Sequence, residues 1–168
     1  AWLAPKFLES DDSSKAIVYD LRSSLSVSDS ILKSKGLPIK SKVGHVFMKQ
    51  SMAENNASFG GELSGHFYFR DNYYADSGAM AFASIVSAIA SSAEPMSLQI
   101  EPFKTYSQSG EINFENNDKE GAMKALIESY PDALVDLLDG VTISTPNWWC
   151  NVRASNTEPL LRLNIEAH

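Results

Sequence analysis

The chain has 168 residues, a formal net charge of −7 and an apolar share of 43%, an ordinary composition for a globular protein with a core of its own. The negative charge argues against a general nucleic-acid-binding protein, which would need a basic surface for the phosphate backbone. The apolar runs are too short to span a bilayer, and the single Cys150 excludes an internal disulfide framework and fits a reducing compartment. We therefore expect a cytoplasmic protein that binds neither nucleic acid nor membrane.

The first part of the chain is predicted to alternate strands and helices. Residues 1–8 are typical of the exit from a preceding element. Strands are predicted at residues 16–20, 38–43 and 67–70, and helices at residues 28–35, 46–54 and from the turn at 76–78 to about residue 89. Asp76 or Ser77 is the expected N-cap of the last helix. The apolar residues expected in the core from the second helix are Val46, Phe47, Met52 and Ala53.

The second part has the pattern of an antiparallel sheet with helices on one face. The polar linker at residues 91–95 places the domain boundary between residues 1–93 and 94–168. Asp118 is the expected N-cap of a helix over residues 119–130, and Asp139-Gly140 predicts a turn. Strands are predicted at residues 103–106, 111–114, 141–144, 148–153 and 160–165. The predicted fold class is an α/β layer domain followed by a small α+β domain.

A glycine-bracketed turn at residues 60–66 carries a carboxylate, a hydroxyl and an imidazole. If the turn is locally extended, Glu62, Ser64 and His66 project to one side and Leu63 to the other. These three groups suit the hydroxyls of a sugar. The alternative is a hairpin turn whose polar residues only face solvent.

A second polar stretch, residues 151–162, contains Ser155, Asn156 and Thr157 in succession. Their hydroxyls, amide and backbone N–H groups can converge on an anion, and Arg153 supplies a planar fork that fits phosphate oxygens. The alternative is an ordinary polar connection between two strands. Together the two stretches predict a phosphosugar site.

These residues resemble a known family. Residues 61–66 resemble the sugar-binding loop of the α-D-phosphohexomutases, and residues 153–159 resemble their phosphate-binding loop. The similarity is to the phosphomannomutase/phosphoglucomutase group and extends over essentially the whole chain. It implies the third and fourth domains of a four-domain enzyme, the fourth with a four-stranded antiparallel sheet.

The resemblance also implies the residues of the site. The implied catalytic group is His66, His45 and Arg22. The implied substrate-binding group is Glu62, Ser64, Lys42, Arg153, Ser155, Asn156 and Thr157.

The implied roles divide between sugar, phosphate and proton. Glu62 and Ser64 would bind sugar hydroxyls, and the residues of the second stretch would hold the phosphate that is not transferred. The histidines would serve as proton relays or phosphate-edge groups, although a lone histidine at a helix start, such as His45, is more often a capping or packing residue. Arg22 stands where the family typically has a lysine.

The implied reaction moves a phosphoryl group between the 1- and 6-hydroxyls of mannose or glucose. It proceeds through a phosphoserine, a hexose 1,6-bisphosphate intermediate and Mg²⁺. The family's serine loop and aspartate-rich metal loop do not occur in this sequence. We therefore expect a C-terminal fragment that is inactive without the missing N-terminal domains, its natural partners.

Three alternatives stand beside this interpretation. The first is a non-catalytic phosphosugar-binding or interaction module. The second is a zinc site from His45, Glu62 and His66, although no short ligand pair such as His-x-x-x-His is present. The third is Cys150 as a nucleophile, although its neighbours indicate a strand, and a buried cysteine is usually inert.

Overall fold

The computed structural model describes residues 1–10, 13–155 and 158–167. The chain forms two compact units, Ala1–Thr105 and Tyr106–His168. Within the described residues, no helix is both long enough and apolar enough to cross a membrane.

The described residues of the first unit form five α-helices and five strands. The helices are α1 Ala4–Ser10, α2 Leu25–Lys33, α3 His45–Glu54, α4 Gly78–Ala90 and α5 Met96–Ile100. The strands are β1 Ala16–Asp20, β2 Leu37–Ser41, β3 Phe59–Gly61, β4 Phe67–Phe69 and β5 Ala75–Asp76. Two short 3-10 helices cover Arg70–Asn72 and Glu101–Phe103.

The strands of this unit form one mixed sheet in the order β2-β1-β3-β4-β5. β1 runs parallel to β2 and to β3, whereas β4 and β5 are antiparallel additions. Because parallel strands end at the same edge of a sheet, the loops that follow β1, β2 and β3 come together there. This edge carries the candidate site.

Helices cover both faces of the sheet, because the strand residues point alternately to either side. On one face Ile17, Phe59 and Phe69 pack with residues of α1, α2 and α4. On the other face Val18 and Tyr68 pack against α3. The predicted α/β layer is confirmed.

Three details of the helices differ from the sequence predictions. Residues 1–8, expected to be an exit from another element, contribute to α1. α2 begins at Leu25 instead of residue 28, because the Ser24 side chain accepts a hydrogen bond from the Ser26 N–H at 3.1 Å and caps the helix earlier.

The third difference concerns the buried side of α3. The predicted core residues Val46 and Phe47 are 62% and 45% exposed, and Ala53 is also exposed. The predicted burial of Met52 is confirmed, and Met48, four residues earlier on the same helix face, fills the core with it although it was not predicted.

The second unit contains α6 Lys119–Ser129 and five strands. The strands are β6 Ser107–Glu115, β7 Leu134–Asp136, β8 Val141–Ser144, β9 Trp148–Ala154 and β10 Leu160–Ala167. They form an antiparallel sheet in the order β6-β10-β9-β8-β7. The α+β prediction is confirmed, but the sheet has five strands where four were expected.

Five strands were also predicted from the pattern of the sequence, but two of the observed strands, β6 and β7, differ from those predictions. β6 contains the strand predicted at residues 111–114 and extends it to nine residues, because β10 pairs with it along its length. The strand predicted at residues 103–106 is wrong, because Glu101–Phe103 is a 3-10 helix and residues 104–106 are not in a strand. β7 is only three residues long and was not predicted.

The two faces of this sheet differ in polarity. Val141, Ile143 and Cys150 form the apolar face and pack with residues of α6. The opposite face carries a polar row in which Thr142 lies opposite Asn151, and Asn151 opposite Asn164. Arg153 and Arg162 belong to this polar face, because they follow the same alternation along β9 and β10.

The boundary between the units lies later in the chain than the one predicted after residue 93. Residues 94–105 contribute α5 to the first unit. Met96 and Ile100 of α5 line a cavity of about 300 Å³ together with Trp2 and Phe59. These side chains line the same cavity as residues of the first unit, in agreement with the assignment of the segment to that unit.

Candidate functional site

Asp20 joins two loops of the first unit. It is the last residue of β1 and is fully buried. Its carboxylate accepts hydrogen bonds from the backbone N–H and the guanidinium Nη2 of Arg22, at 2.9 and 2.6 Å, and from the N–H of Leu63 at 3.0 Å. The turn after β1 is thereby tied to the loop between β3 and β4.

Glu62 is held in place from two sides. Its side chain is 5% exposed. Oε1 accepts a hydrogen bond from the Gly44 N–H at 2.9 Å, and Oε2 accepts one from the Tyr68 hydroxyl at 2.5 Å. Because each carboxylate oxygen has about two acceptor positions, Glu62 keeps capacity for further donors.

Tyr68 is a fixed hydrogen-bond donor to Glu62. Burial, the hydrogen bond to Glu62 and the nearby charges of Glu62, Asp76 and Asp20 all raise the pKa of the Tyr68 hydroxyl. The phenol therefore stays protonated at neutral pH and keeps donating to the carboxylate.

The loop between β3 and β4 is a tight turn and not the extended segment considered from the sequence. The N–H of Glu62 donates to the His66 carbonyl at 2.9 Å, and the N–H of Gly65 donates to the Glu62 carbonyl at 3.0 Å. Gly65 has a φ of +86°, a conformation that glycine adopts without strain. Glu62 consequently turns inward, while Ser64 and His66 stay exposed.

The three predicted sugar-binding side chains nevertheless meet. Ser64 Oγ lies 2.9 Å from His66 Nδ1, and His66 Nδ1 lies 3.9 Å from Glu62 Oε2. A hydroxyl, an imidazole and a carboxylate are thus arranged in one short chain. Such a set can donate to and accept from the hydroxyls of a polyol.

The remaining predicted residues of this unit lie on neighbouring loops. Arg22 is 8% exposed and is held by Asp20. Lys42 is exposed, and its ammonium lies 5.5 Å from the centre of the Phe47 ring. His45 is the exposed first residue of α3, and Gly44 occupies the N-cap position. Since Gly44 donates to Glu62, the loop that carries Lys42 and His45 is attached to the turn at Glu62.

Two arginines face each other in the second unit. Arg153 of β9 and Arg162 of β10 are directly opposite in register. Glu111 compensates both, since its carboxylate oxygens lie 3.5 Å from Arg153 Nη2 and 3.4 Å from Arg162 Nη1. Arg162 Nη2 also lies 3.3 Å from the Glu158 carboxylate. The sheet therefore brings two guanidinium groups, each with a carboxylate partner, to the start of the loop between β9 and β10.

Ser155 begins this loop. It is buried, and its N–H donates to the Leu160 carbonyl at 2.8 Å, which closes the base of the loop. Asn156 and Thr157, predicted for the same site, lie outside the described residues.

Sequence reasoning missed Asp20, Tyr68 and Glu111. A signal exists for Asp20, because an acidic residue at the end of an apolar strand lies where ligand sites of α/β sheets form. Tyr68 and Glu111 act through contacts that only the folded chain shows.

The structure also bears on two other kinds of site considered from the sequence, a cysteine nucleophile and a zinc site. Cys150 is buried in β9, and burial raises the pKa of its thiol, which makes it a poor nucleophile. Among residues 1–10, 13–155 and 158–167, no group of three or more His, Cys, Asp or Glu side chains could hold a metal ion. His45, Glu62 and His66 accordingly do not form a zinc site in the described structure.

Two family models match the chain. One is described as phosphoglucomutase/phosphomannomutase, alpha/beta/alpha domain III, and covers residues 1–106. The other is described as the phosphoglucomutase/phosphomannomutase C-terminal domain and covers residues 111–168. The chain therefore belongs to the phosphoglucomutase/phosphomannomutase family.

Individual relatives agree with this assignment. A phosphomannomutase of Methanocaldococcus jannaschii is 44% identical over 167 residues, covering 99% of this chain and 37% of that protein. A phosphomannomutase of Escherichia coli is 35% identical over 168 residues, covering 98% of this chain and 37% of that protein. The chain thus spans little more than a third of the length of these relatives.

Solved structures show the same fold. A phosphoglucomutase/phosphomannomutase family protein from Burkholderia thailandensis superposes with a TM-score of 0.80 at 26% identity, covering 99% of this chain and 37% of that one. An Aspergillus fumigatus N-acetylphosphoglucosamine mutase, solved in complex with GlcNAc-6P and magnesium, gives a TM-score of 0.65 at 14% identity, covering 99% of this chain and 42% of that one. At that identity the second likeness concerns the fold alone.

Proposed function

We propose that this chain is the substrate-binding half of a phosphomannomutase/phosphoglucomutase. The whole protein would interconvert the 6-phosphate and the 1-phosphate of mannose or glucose. The observation that carries the proposal is the buried Glu62 carboxylate, which Gly44 and Tyr68 hold beside Ser64 and His66. Family membership supports it.

Glu62 and Ser64 would form hydrogen bonds with the sugar hydroxyls. A carboxylate held by two donors has little freedom to reorient, so its remaining acceptor positions have a fixed direction. A fixed acceptor suits an enzyme that must bind a hexose in two orientations with the same groups.

Arg153, Ser155, Asn156 and Thr157 would hold the phosphate that is not transferred. Charge-assisted contacts from a guanidinium fit this task. Glu111, which lies beside Arg153 and Arg162, would keep both side chains directed toward the sheet surface next to the loop.

His66, His45, Arg22 and Lys42 would surround the reacting end. Phosphoryl transfer depends mainly on positioning and on neutralising charge. An imidazole can move a proton near neutral pH, and fixed cations can compensate the charge of a phosphoryl group.

The phosphoserine, the hexose 1,6-bisphosphate intermediate and Mg²⁺ complete the proposed reaction. The described residues offer no metal-binding cluster, so the magnesium and phosphoserine sites are proposed for the N-terminal domains of the full-length protein. The 168-residue chain alone would then bind substrate without catalysing its conversion, in the cytoplasm.

The proposal predicts that Glu62→Gln lowers kcat/KM of the full-length protein about a hundredfold, the loss typical of one well-placed polar group in an active site. Conversion of mannose 1-phosphate and glucose 1-phosphate, measured in a coupled assay, provides the test. Glu54→Gln is the matched control, because Glu54 is exposed at the end of α3. If the full-length protein without substitutions bound mannose 6-phosphate but did not convert it, the proposal would be contradicted and a non-catalytic module supported.

A further inference from the structure

Lys119, the first residue of α6, bridges both ends of the loop between β9 and β10. Its ammonium nitrogen donates hydrogen bonds to the Ser155 carbonyl at 3.0 Å and to the Glu158 carbonyl at 2.7 Å. The helix start that carries it is fixed by Asp118, whose side chain accepts a hydrogen bond from the Gly121 N–H at 2.9 Å. A residue anchored on a helix thus holds the loop at positions 155 and 158.

The charge of Lys119 has surroundings unlike those of the two arginines. Arg153 and Arg162 each pair with Glu111. Around Lys119 Nζ, no carboxylate of the described part of the chain lies within ion-pair distance, and its partners are the two carbonyls. A cation bound only by neutral groups keeps its full charge and adds positive potential at the loop.

The bound carbonyls matter for a loop that receives an anion. Backbone carbonyl oxygens carry partial negative charge and repel phosphate, whereas N–H groups and cations attract it. By binding the carbonyls of Ser155 and Glu158, the ammonium compensates two repulsive groups and holds them toward α6.

We infer that Lys119 is a positioning residue of the phosphate-binding loop, which fixes both of its ends and supplies an uncompensated positive charge. The inference rests on the proposed function. Because the same loop would hold the idle phosphate of a hexose 1-phosphate and of a hexose 6-phosphate, Lys119 contributes equally to the binding of both substrates.

Steady-state kinetics of the full-length protein with Lys119→Met test the inference. Methionine has a similar length but removes the charge and both hydrogen bonds. We expect KM for mannose 1-phosphate to rise about tenfold, the value of one charge-assisted hydrogen bond, and KM for mannose 6-phosphate to rise by the same factor. The value of kcat should change little, since in the proposed function the loop holds the phosphate that is not transferred.

Lys124→Met is the matched control, because Lys124 lies on the same helix and is 78% exposed. It removes the same charge away from the loop and should leave KM unchanged. Lys119→Arg keeps the charge with a different reach and should give an intermediate KM.

An unchanged KM in Lys119→Met, or an equal rise in Lys124→Met, would overturn the inference. Failure of both Lys119 variants to fold would also overturn it, because the residue would then serve stability alone. An unmodified full-length protein without mutase activity contradicts the proposed function instead. In that case calorimetric titration with inorganic phosphate still tests Lys119, and equal affinities of the unmodified protein and Lys119→Met would refute its role.

Discussion

At the scale of single residues, the carboxylate of Asp20 shows how a buried charge holds loops together. The ion pair with Arg22 and the hydrogen bond to Leu63 join segments that are far apart in the sequence. Asp20→Asn removes the charge while keeping the shape, and it breaks the ion pair with the buried guanidinium of Arg22. We expect a loss of about 3 kcal/mol in the free energy of unfolding, the lower range for breaking a buried pair.

Urea unfolding of the 168-residue chain measures this loss. Asp71→Asn is the control, because the Asp71 carboxylate is 85% exposed and lies 3.8 Å from Arg70 Nε. Removing an exposed pair should cost less than about 1 kcal/mol. Equal losses in the two variants would show that Asp20 has no special structural role.

Cys150 leads to a prediction on pH. Burial raises the pKa of its thiol above the ordinary value of 9.0. Above pH 9.0 the unfolded chain therefore loses this proton while the folded chain still holds it, so the stability that the neutral thiol contributes declines as the pH rises toward the raised pKa. Cys150→Ala should unfold with a weaker loss of stability over this alkaline range, measured as urea midpoints at several pH values. Parallel pH profiles of the two proteins would refute the shift.

The sequence predicted the motif residues of the candidate site, but it did not predict the residues that hold them in place. Glu62, Ser64 and His66 were predicted together and lie together, although in a turn rather than an extended segment. Tyr68 was assigned only to a strand, because its hydrogen bond to Glu62 depends on how β4 folds back from β3. Short motifs indicate candidate ligand-binding residues, whereas the orientation of their side chains comes from tertiary contacts.

At the scale of elements, the turn before β8 depends on Gly140. This residue has a φ of +68°, and an added Cβ would collide with the Val152 carbonyl oxygen. Gly140→Ala should destabilise the second unit by about 2 kcal/mol, through backbone strain and a displaced strand. Hydrogen exchange of the β8 and β9 amides measures the effect.

Gly78→Ala is the comparison for this substitution. Gly78 begins α4, and an added Cβ would have no neighbour within 4 Å. Alanine there should be neutral or stabilise by up to about 1 kcal/mol. Faster exchange throughout α4 in this variant would contradict that expectation.

Helix starts that depend on a neighbouring capping residue were predictable from the sequence. Strand limits that depend on pairing with a distant strand were not. The side chains of Ser77 and Asp118 cap α4 and α6 as expected, because capping depends on neighbouring residues. The prediction began a strand only at residue 111, whereas β6 starts at Ser107 and continues through Gly110 despite its φ of +69°. Pairing with β10 overrides that local preference.

At the scale of the whole molecule, the division into two units follows from their separate cores. Two apolar clusters lie on the two faces of the first sheet, and a third lies between the second sheet and α6. The order of domain types was predictable from the family resemblance. The boundary was not, because the polar linker at residues 91–95 precedes α5, whose membership in the first unit depends on apolar contacts far away in sequence.

The strand connections also predict which parts of the two units form first. β1 pairs with β3, with Ile17 beside Phe59, so the first sheet requires the closure of long chain segments. β8 and β9 are joined by a short turn, with Ser144 beside Trp149, and most of the second sheet grows from such neighbours. Since low contact order favours rapid folding, β8 and β9 should gain protection before β1 and β3 in a pulsed hydrogen-exchange refolding experiment. Simultaneous protection would mean that one folding barrier governs both units; otherwise the β8–β9 hairpin forms while the α/β unit is still assembling.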